Sequence, residues 1–232
     1  MKNRQIDAEK PQVWEPDIAA SDLRLMKLTK LDTHPARPGK VRLYIDGVYA
    51  FELSRKSILA LKVAEGEALT AERHRLLELT AAREAAIGLL ARRERSRAEL
   101  RTALRRKKFD VAVIDTVLGQ IEADGLQSDA RFASAWVETR RRLSPRGKAA
   151  LAYELRQKGI PDARAAEALR RYSGQDEQAA LRELIASRLA RWDGAKEERS
   201  KLKQRLLGFL SRRGFAYEDI RAVLARDFPD WL

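Results

Sequence analysis

Six apolar positions recur three times along the chain with one internal spacing. Leu100, Leu104, Phe109, Ile114, Val117 and Leu118 form the first set. Leu151, Leu155, Ile160, Ala165, Ala168 and Leu169 form the second, and Leu206, Leu210, Phe215, Ile220, Val223 and Leu224 the third. The steps are four, five, five, three and one in every copy, and the copies lie 51 and 55 residues apart. Steps of three and four keep side chains on one helix face, and the two fives bracket a turn. Agreement at this many positions marks tandem repeats of about 50 residues, each a supersecondary unit that buries more surface by stacking on its neighbours. Each unit holds an entering helix, a middle helix with the Leu pair, and a third helix after a tight turn.

The turn reads Lys107-Lys108-Phe109, Lys158-Gly159-Ile160 or Arg213-Gly214-Phe215. Gly159 and Gly214 suit a left-handed helix C-cap, and Lys108 takes that place in the first copy. Ser96-Arg97-Ala98-Glu99 has the pattern of a capping box, and Ser144-Pro145 that of an N-cap followed by proline at the first helical position. Asp110 caps the third helix of the first unit. Gln127-Ser128-Asp129 and Ser173-Gly174-Gln175 separate the units.

Upstream of the repeats the period changes. The run around Leu25, Lys27, Thr29 and Leu31 alternates like a strand. Val41–Ile45 and Val48–Leu53 flank Asp46-Gly47, whose positive φ suits a type I′ hairpin turn. Ser54 and Thr70 read as N-caps of helices near 55–61 and 71–86. Two or three strands alone are marginal in water, so they should lean on these helices. The expected fold is therefore mainly α: tandem three-helix-bundle repeats in an elongated array, preceded by a small N-terminal module containing a β-hairpin. The expected division is a flexible tail over 1–22, the hairpin module over 23–82, and repeats over 83–126, 127–173 and 174–232.

Composition excludes several chemistries. The chain has no Cys and two His, at 34 and 74, so thiolate zinc sites, Cys nucleophiles, iron–sulfur clusters and His-based triads are not expected. Gly147-Lys148 does not extend into a phosphate-binding loop, because Ala149 follows and Arg142 stands where the first glycine would be. No enzyme activity, cofactor or metal is expected. No stretch reaches the ~18 apolar residues of a membrane span, and residues 1–17 lack a signal-type apolar segment. A cytoplasmic monomer is expected.

What remains is charge. The 47 Lys+Arg and 34 Asp+Glu give a formal net of +13, which points to a polyanionic partner rather than to a fold. Residues 83–232 carry 33 basic and 22 acidic side chains, a net of +11. Residues 92–108 alone hold nine Lys/Arg and two Glu. Arg97, Arg101, Arg105 and Lys108 fall on one stripe of the helix after Ser96. Cations also precede each turn, where they complement a helix dipole whatever else they do. Arg140-Arg141-Arg142, with Arg146 and Lys148, make a second cluster. Phe132, Trp136, Trp192, Phe209, Phe228 and Trp231 sit at helical spacing and read as core rather than base-stacking groups.

Three segments carry a resemblance to a known family. They are Ser96-Arg97-Ala98-Glu99-Leu100-Arg101 followed by Phe109, then Asp129-Ala130-Arg131-Phe132-Ala133-Ser134-Ala135-Trp136 leading to Arg140, and Glu154-Leu155-Arg156-Gln157-Lys158-Gly159-Ile160. In order and spacing, over about 85–232, they resemble the bacterial RecX family of regulatory proteins. Tyr44-Ile45-Asp46-Gly47 with Phe51 and Leu53 is similar to the N-terminal extension of its longer members. The resemblance implies a negative regulator of the RecA recombinase. Such a protein would bind in the groove of the RecA–DNA filament and inhibit its ATPase, strand-exchange and co-protease activities, with weak binding to DNA itself. The expected contact residues are Arg97, Arg101, Arg105, Arg106, Lys107, Arg140, Arg141, Arg142, Arg156 and Lys158. The rival reading is a basic helical-repeat protein that binds DNA without a protein partner.

Overall fold

In the computed structural model, which describes residues 25–192 and 198–231, the strand signals become a curled antiparallel sheet and the repeats become triplets of helices. The expected tail over 1–22 lies outside the described residues. The chain divides into two compact units, Met1–Leu77 and Glu78–Leu232.

The first unit contains β1 (Met26–Thr33), β2 (Lys40–Ile45), β3 (Val48–Ser54), α1 (Arg55–Ala60) and β4 (Ala68–Leu69). Strand order is β3-β2-β1-β4. Asp46 and Gly47 adopt φ of 48° and 79°, as the hairpin turn requires. Leu28 and Leu31 are three apart and would face opposite sides of a regular strand. A bulge solves this: Leu28 pairs with Ile45, Lys30 with Tyr44 and Leu31 with Leu43, so Thr29 is the extra residue. The Thr29 hydroxyl is used in the bulge, donating to the Tyr44 carbonyl and accepting from the Gly47 N–H, both at 3.0 Å. The buried face comprises Leu28, Val41, Leu43, Ile45, Phe51, Leu53 and Leu69. β4 has no signal of its own in two residues; its ladder is supplied by Met26 and Lys27 of β1.

The second unit takes in α2 (Ala71–Leu90) from Glu78 onward, followed among the described residues by eight further helices. With α2 in the first repeat are α3 (Arg97–Arg106) and α4 (Val111–Ala123). The second holds α5 (Asp129–Leu143), α6 (Lys148–Gln157) and α7 (Asp162–Arg170). The third holds α8 (Gly174–Leu189), α9 (Arg199–Arg212) and α10 (Tyr217–Asp227). Helix α2 runs to Leu90, past its expected end at 86, and buries Ala81, Ala82 and Ala86 along its length. Of the eighteen positions in the recurrent pattern, Leu169 is half-buried and the rest are buried. At about 25 cal/mol per Å² of apolar surface, each fully buried Leu or Ile contributes roughly 1.5–3 kcal/mol.

The three tight turns share one conformation. Lys108, Gly159 and Gly214 have φ of 65°, 73° and 81°. In each, the following amide reaches back five residues, Phe109 to Leu104, Ile160 to Leu155 and Phe215 to Leu210. The glycines answer a second demand as well. A Cβ on Gly159 would lie 2.3 Å from the Ala98 Cβ, and one on Gly214 would lie 2.4 Å from the Ala150 Cβ. Each glycine turn is thus pressed against the start of the middle helix of the preceding repeat. No repeat precedes the first, so Lys108 meets the conformational demand without the steric one.

The two joints between repeats are built alike. The pattern pairs Ser96 with Gly147, Arg97 with Lys148, and Lys158 with Arg213. The Ser96 hydroxyl donates to the Lys158 carbonyl at 2.6 Å, and the Gly147 N–H donates to the Arg213 carbonyl at 2.9 Å. One residue on, the Arg97 N–H donates to Asp129 and the Lys148 N–H to Glu177, each at 2.8 Å. A carboxylate from the next repeat's first helix therefore meets the positive end of the middle helix. Asp129 is buried, and Gln127 Nε2 at 2.8 Å adds a second donor to it. Such bonds to charged groups are worth about 1.5–3 kcal/mol.

These joints overturn two expected caps. Ser144 ends α5 rather than starting α6, its N–H bonded to the Arg140 carbonyl, and α6 begins at Lys148 after Gly147. Gly147 is held so close to the next repeat that a Cβ there would sit 2.0 Å from the Gly214 carbonyl oxygen. That contact outweighs the Ser-Pro signal. Ser96 does cap α3, accepting from the Glu99 N–H at 3.1 Å, but the Glu99 carboxylate turns to Arg93 and Lys158 instead of closing a box. The closed box is at Ser173 and Asp176.

Gly159→Ala and Gly214→Ala are expected to destabilise the protein by roughly 2–3 kcal/mol, because left-handed strain of about 1–2 kcal/mol adds to a clash with fixed backbone-proximal atoms. For a chain of this size that is about 4–12 °C in melting temperature. Lys108→Gly is expected to leave stability unchanged within ~1 kcal/mol, since relief of φ strain opposes glycine's greater unfolded-state entropy. Thermal unfolding followed by circular dichroism separates the two outcomes.

Candidate functional site

The expected contact residues divide by their local partners. On α3, Arg97 Nη1 lies 2.7 Å from Glu122 of α4, and Arg101 pairs with Asp115 of the same partner helix. Half of the cationic stripe is therefore turned inward onto α4. Arg105 and Arg106, in the last turn, are exposed, as is Lys107 at the C-cap. The structure gives Arg105 and Arg106 no ion pair among the described residues.

The second cluster is also part-neutralised. Arg140 Nε donates to Glu154 at 2.8 Å while its guanidinium lies 4.6 Å from the centre of the Trp136 ring. Arg146 meets the other Glu154 oxygen at 2.8 Å, and the Trp136 indole N–H donates to Glu154 at 2.9 Å. Lys158 Nζ sits 5.0 Å from the same ring and 2.9 Å from Glu99 of the first repeat. Arg141 pairs with Glu138 at 2.9 Å and approaches Asp176 at 3.7 Å. Arg142 and Arg156 are exposed, with no ion pair among the described residues. Trp136 is thus a half-buried plate stacked on Phe132, with a cation over it from each of two elements. Exposed pairs of this kind add only about 0–1 kcal/mol each. Their consequence is electrostatic: they decide which cations stay available to an outside anion.

The available cations lie at equivalent places. Arg105 in the first repeat corresponds to Arg156 in the second, and Arg106 corresponds to Arg212 in the third, all in last turns of middle helices. Arg106 also lines a groove of about 400 Å³ with Arg95, Glu99, Gln157 and Lys158, at the joint of the first two repeats. The contact residues expected from the sequence omit a further cluster in the third repeat, formed by Arg188, Arg205 and Arg212 around Phe209. Its signal lies in the register of the entering helices: Arg188 stands 48 residues after Arg140, as Glu177 does after Asp129 and Ile185 after Val137. Among the described residues no cluster of His, Asp or Glu could hold a metal ion, and no helix is long and apolar enough to cross a membrane.

Glu99 couples two of these features. Burial alone would raise its carboxyl, but hydrogen bonds and charge from Arg93 and Lys158 hold it below its ordinary value. A carboxyl depressed on folding stabilises above its unfolded pKa, about 4.3, and loses that contribution as pH falls through the lower folded value. Glu99→Gln is expected to lower the melting temperature at pH 7, and the difference from the parent is expected to narrow as pH falls below about 4.3. Melting curves across that range check it.

Comparison with known proteins follows the same architecture. Family models described as the first, second and third three-helix domains of RecX match residues 82–120, 128–169 and 175–224. The chain is similar to the Regulatory protein RecX of Amycolatopsis mediterranei, 42% identical over 134 residues, which covers 58% of this chain and 75% of that one. That of Thermobifida fusca is 38% identical over 157 residues, covering 64% and 84%. That of Mycolicibacterium smegmatis is 36% identical over 152 residues, covering 63% and 81%. A crystal structure of regulatory protein RecX shares the fold with a TM-score of 0.56 at 19% identity, covering 87% of this chain and all of that one. The RecX structure from Lactobacillus salivarius gives 0.57 at 22% identity, covering 64% and 95%. With three consecutive domain models in order, and relatives matched over three quarters or more of their length, the chain belongs to the RecX family.

Proposed function

We propose that this protein is a negative regulator of the RecA recombinase, acting in the cytoplasm by laying its repeats in the groove of the RecA–DNA filament. Bound there it inhibits ATP hydrolysis, strand exchange and co-protease activity without any catalytic step of its own. The observation that carries the reading is membership of the RecX family together with a repeat body whose middle helices end in exposed arginines, Arg105, Arg106 and Arg156. A filament presents the same acidic and phosphate groups at regular intervals. Several weak contacts on one body then add through effective concentration, provided the joints keep their spacing. Arg97, Arg101, Arg140 and Lys158 serve this reading by fixing the bundles and joints, and Arg141 and Arg142 flank the second contact region.

The second reading, DNA binding with no protein partner, is favoured by the net charge of +13. The two differ in salt response. A binder of duplex phosphates alone loses affinity with a slope of about −0.9 per phosphate neutralised. Titration into RecA on single-stranded DNA is expected to suppress ATP hydrolysis, and Arg105→Glu/Arg106→Glu/Arg156→Glu to restore most of it with the fold intact by circular dichroism. Affinity for RecA-coated DNA is expected to exceed that for naked DNA at ~150 mM salt, where screening acts within about 8 Å. Equal affinity for both would leave the DNA-binding reading standing alone.

A further inference from the structure

The second and third repeats place the same framework around different residues. Arg140 of α5 corresponds to Arg188 of α8, and Lys158 corresponds to Arg213, each pair in the register of its own helix. In the second repeat, Glu154 takes Arg140, Arg146 and the Trp136 indole, while Lys158 pairs with Glu99. The residue at that place in the third repeat is Phe209, 55 positions on, as Leu210 is from Leu155. The carboxylate has been replaced by an aromatic ring. Arg188 lies 4.0 Å and Arg213 lies 4.6 Å from the centre of that ring.

Beside Phe209 is a groove of about 170 Å³ lined by Arg188, Leu202, Arg205, Leu206, Phe209 and Arg212. Among the described residues its lining has three guanidinium side chains and no carboxylate. Among the described residues the structure gives Arg188 and Arg212 no ion pair. Arg212 folds back over Gly208, where a Cβ would stand 3.1 Å from its Nη1. A mid-helix glycine costs about 0.5–1 kcal/mol relative to alanine, and here it leaves room for that side chain. Arg213 stands outside the groove lining, against the Phe209 ring, and donates from Nη1 to the Pro145 carbonyl at 3.0 Å. Burial first, then the charges of Arg146 and Arg188, lower the proton affinity of its guanidinium, so the cations around Phe209 repel one another.

We infer that the groove between α8 and α9 is an anion site for the phosphates of single-stranded nucleic acid, opened in the third repeat by the replacement of the internal carboxylate with Phe209. A polyphosphate backbone fits better than an isolated carboxylate for two reasons. Guanidinium forks on two helices match an oxyanion with several acceptor oxygens. Helix α9 itself carries Arg199, Lys201, Lys203, Arg205 and Arg212 and no acidic residue along its length, although Lys201 pairs with Glu198 at its N-cap. The inference concerns direct contact with nucleic acid and does not require RecA.

The test uses the full chain and a fluorescein-labelled oligothymidylate followed by anisotropy between about 50 and 200 mM salt. Arg188→Gln/Arg212→Gln is expected to weaken binding at least tenfold, and to flatten the salt dependence by about 0.7 for each phosphate no longer neutralised. Lys56→Gln, an exposed charge on α1, is expected to change affinity less than threefold. Phe209→Glu, which restores the second repeat's arrangement, is expected to weaken binding as strongly; circular dichroism reports whether it folds, and the arginine variants stand without it. Affinity and slope unchanged in Arg188→Gln/Arg212→Gln would overturn the inference, as would no binding by the parent at ~50 mM salt. Poly-glutamate competing as well as the oligonucleotide would overturn the assignment to phosphate. RecA ATPase inhibition measured on the same variants keeps the two readings apart: inhibition can survive loss of this site, and the site can survive absence of inhibition.

Discussion

A helix of ten residues leaves its first amides without partners inside the helix, and in this protein the next repeat supplies some of them. The Arg97 N–H finds Asp129, and the Lys148 N–H finds Glu177. The residue before each makes the second tie, to the carbonyl that closes the next middle helix. For both bonds to form, the next repeat's turn must lie against the start of α3 or α6 with no side chain between. Much else in the second unit follows from that requirement. It explains glycine at 159 and 214 and lysine at 108, where no earlier repeat presses. It also explains why α6 starts at Gly147 instead of at Ser144, and why Asp129 can be buried as a carboxylate.

The same joints sort the charges. A chain with so many arginines would be expected to spread a positive field evenly, yet many are bound to carboxylates of neighbouring helices or repeats. Glu122 receives Arg97, Glu99 receives Arg93 and Lys158, and Glu154 receives Arg140 and Arg146. Among the described residues, the exposed cations without an ion pair include Arg105, Arg106, Arg156 and Arg212 in the last turns of middle helices and Arg142 in that of α5. Position along the repeat, more than the count of cations, thus determines where an anionic partner can be held.

Phe209 shows how duplication makes a site without new architecture. The apolar positions that pack each bundle recur, so the framework around residues 154 and 209 is common to both copies. One exchange at a surface-facing position then converts an internally neutralised cluster into an open one. The cost to packing is small, because the ring lies over the third core with Leu207 and Phe228 beside the same cluster.

Periodicity determined the helices, the turns and the core, because apolar positions at fixed spacing leave a three-helix unit few other ways to bury them. Leu100, Leu155 and Leu210 were legible for that reason, as was the Asp46-Gly47 hairpin, whose positive φ values few other dipeptides accept. The resemblance to the RecX family was legible in the same positions. Side-chain partnership was not. Arg97 and Arg105 occupy one stripe in the sequence, and nothing local says that the first meets Glu122 while the second meets solvent. The Ser144-Pro145 cap, the Glu99 box and the two-residue strand at Ala68 are not settled locally, because a partner far along the chain decides each of them. Spacing is a property of one helix and can be read from it. Neutralisation and capping depend on which groups a second helix brings within hydrogen-bonding distance, and only the packed structure decides that.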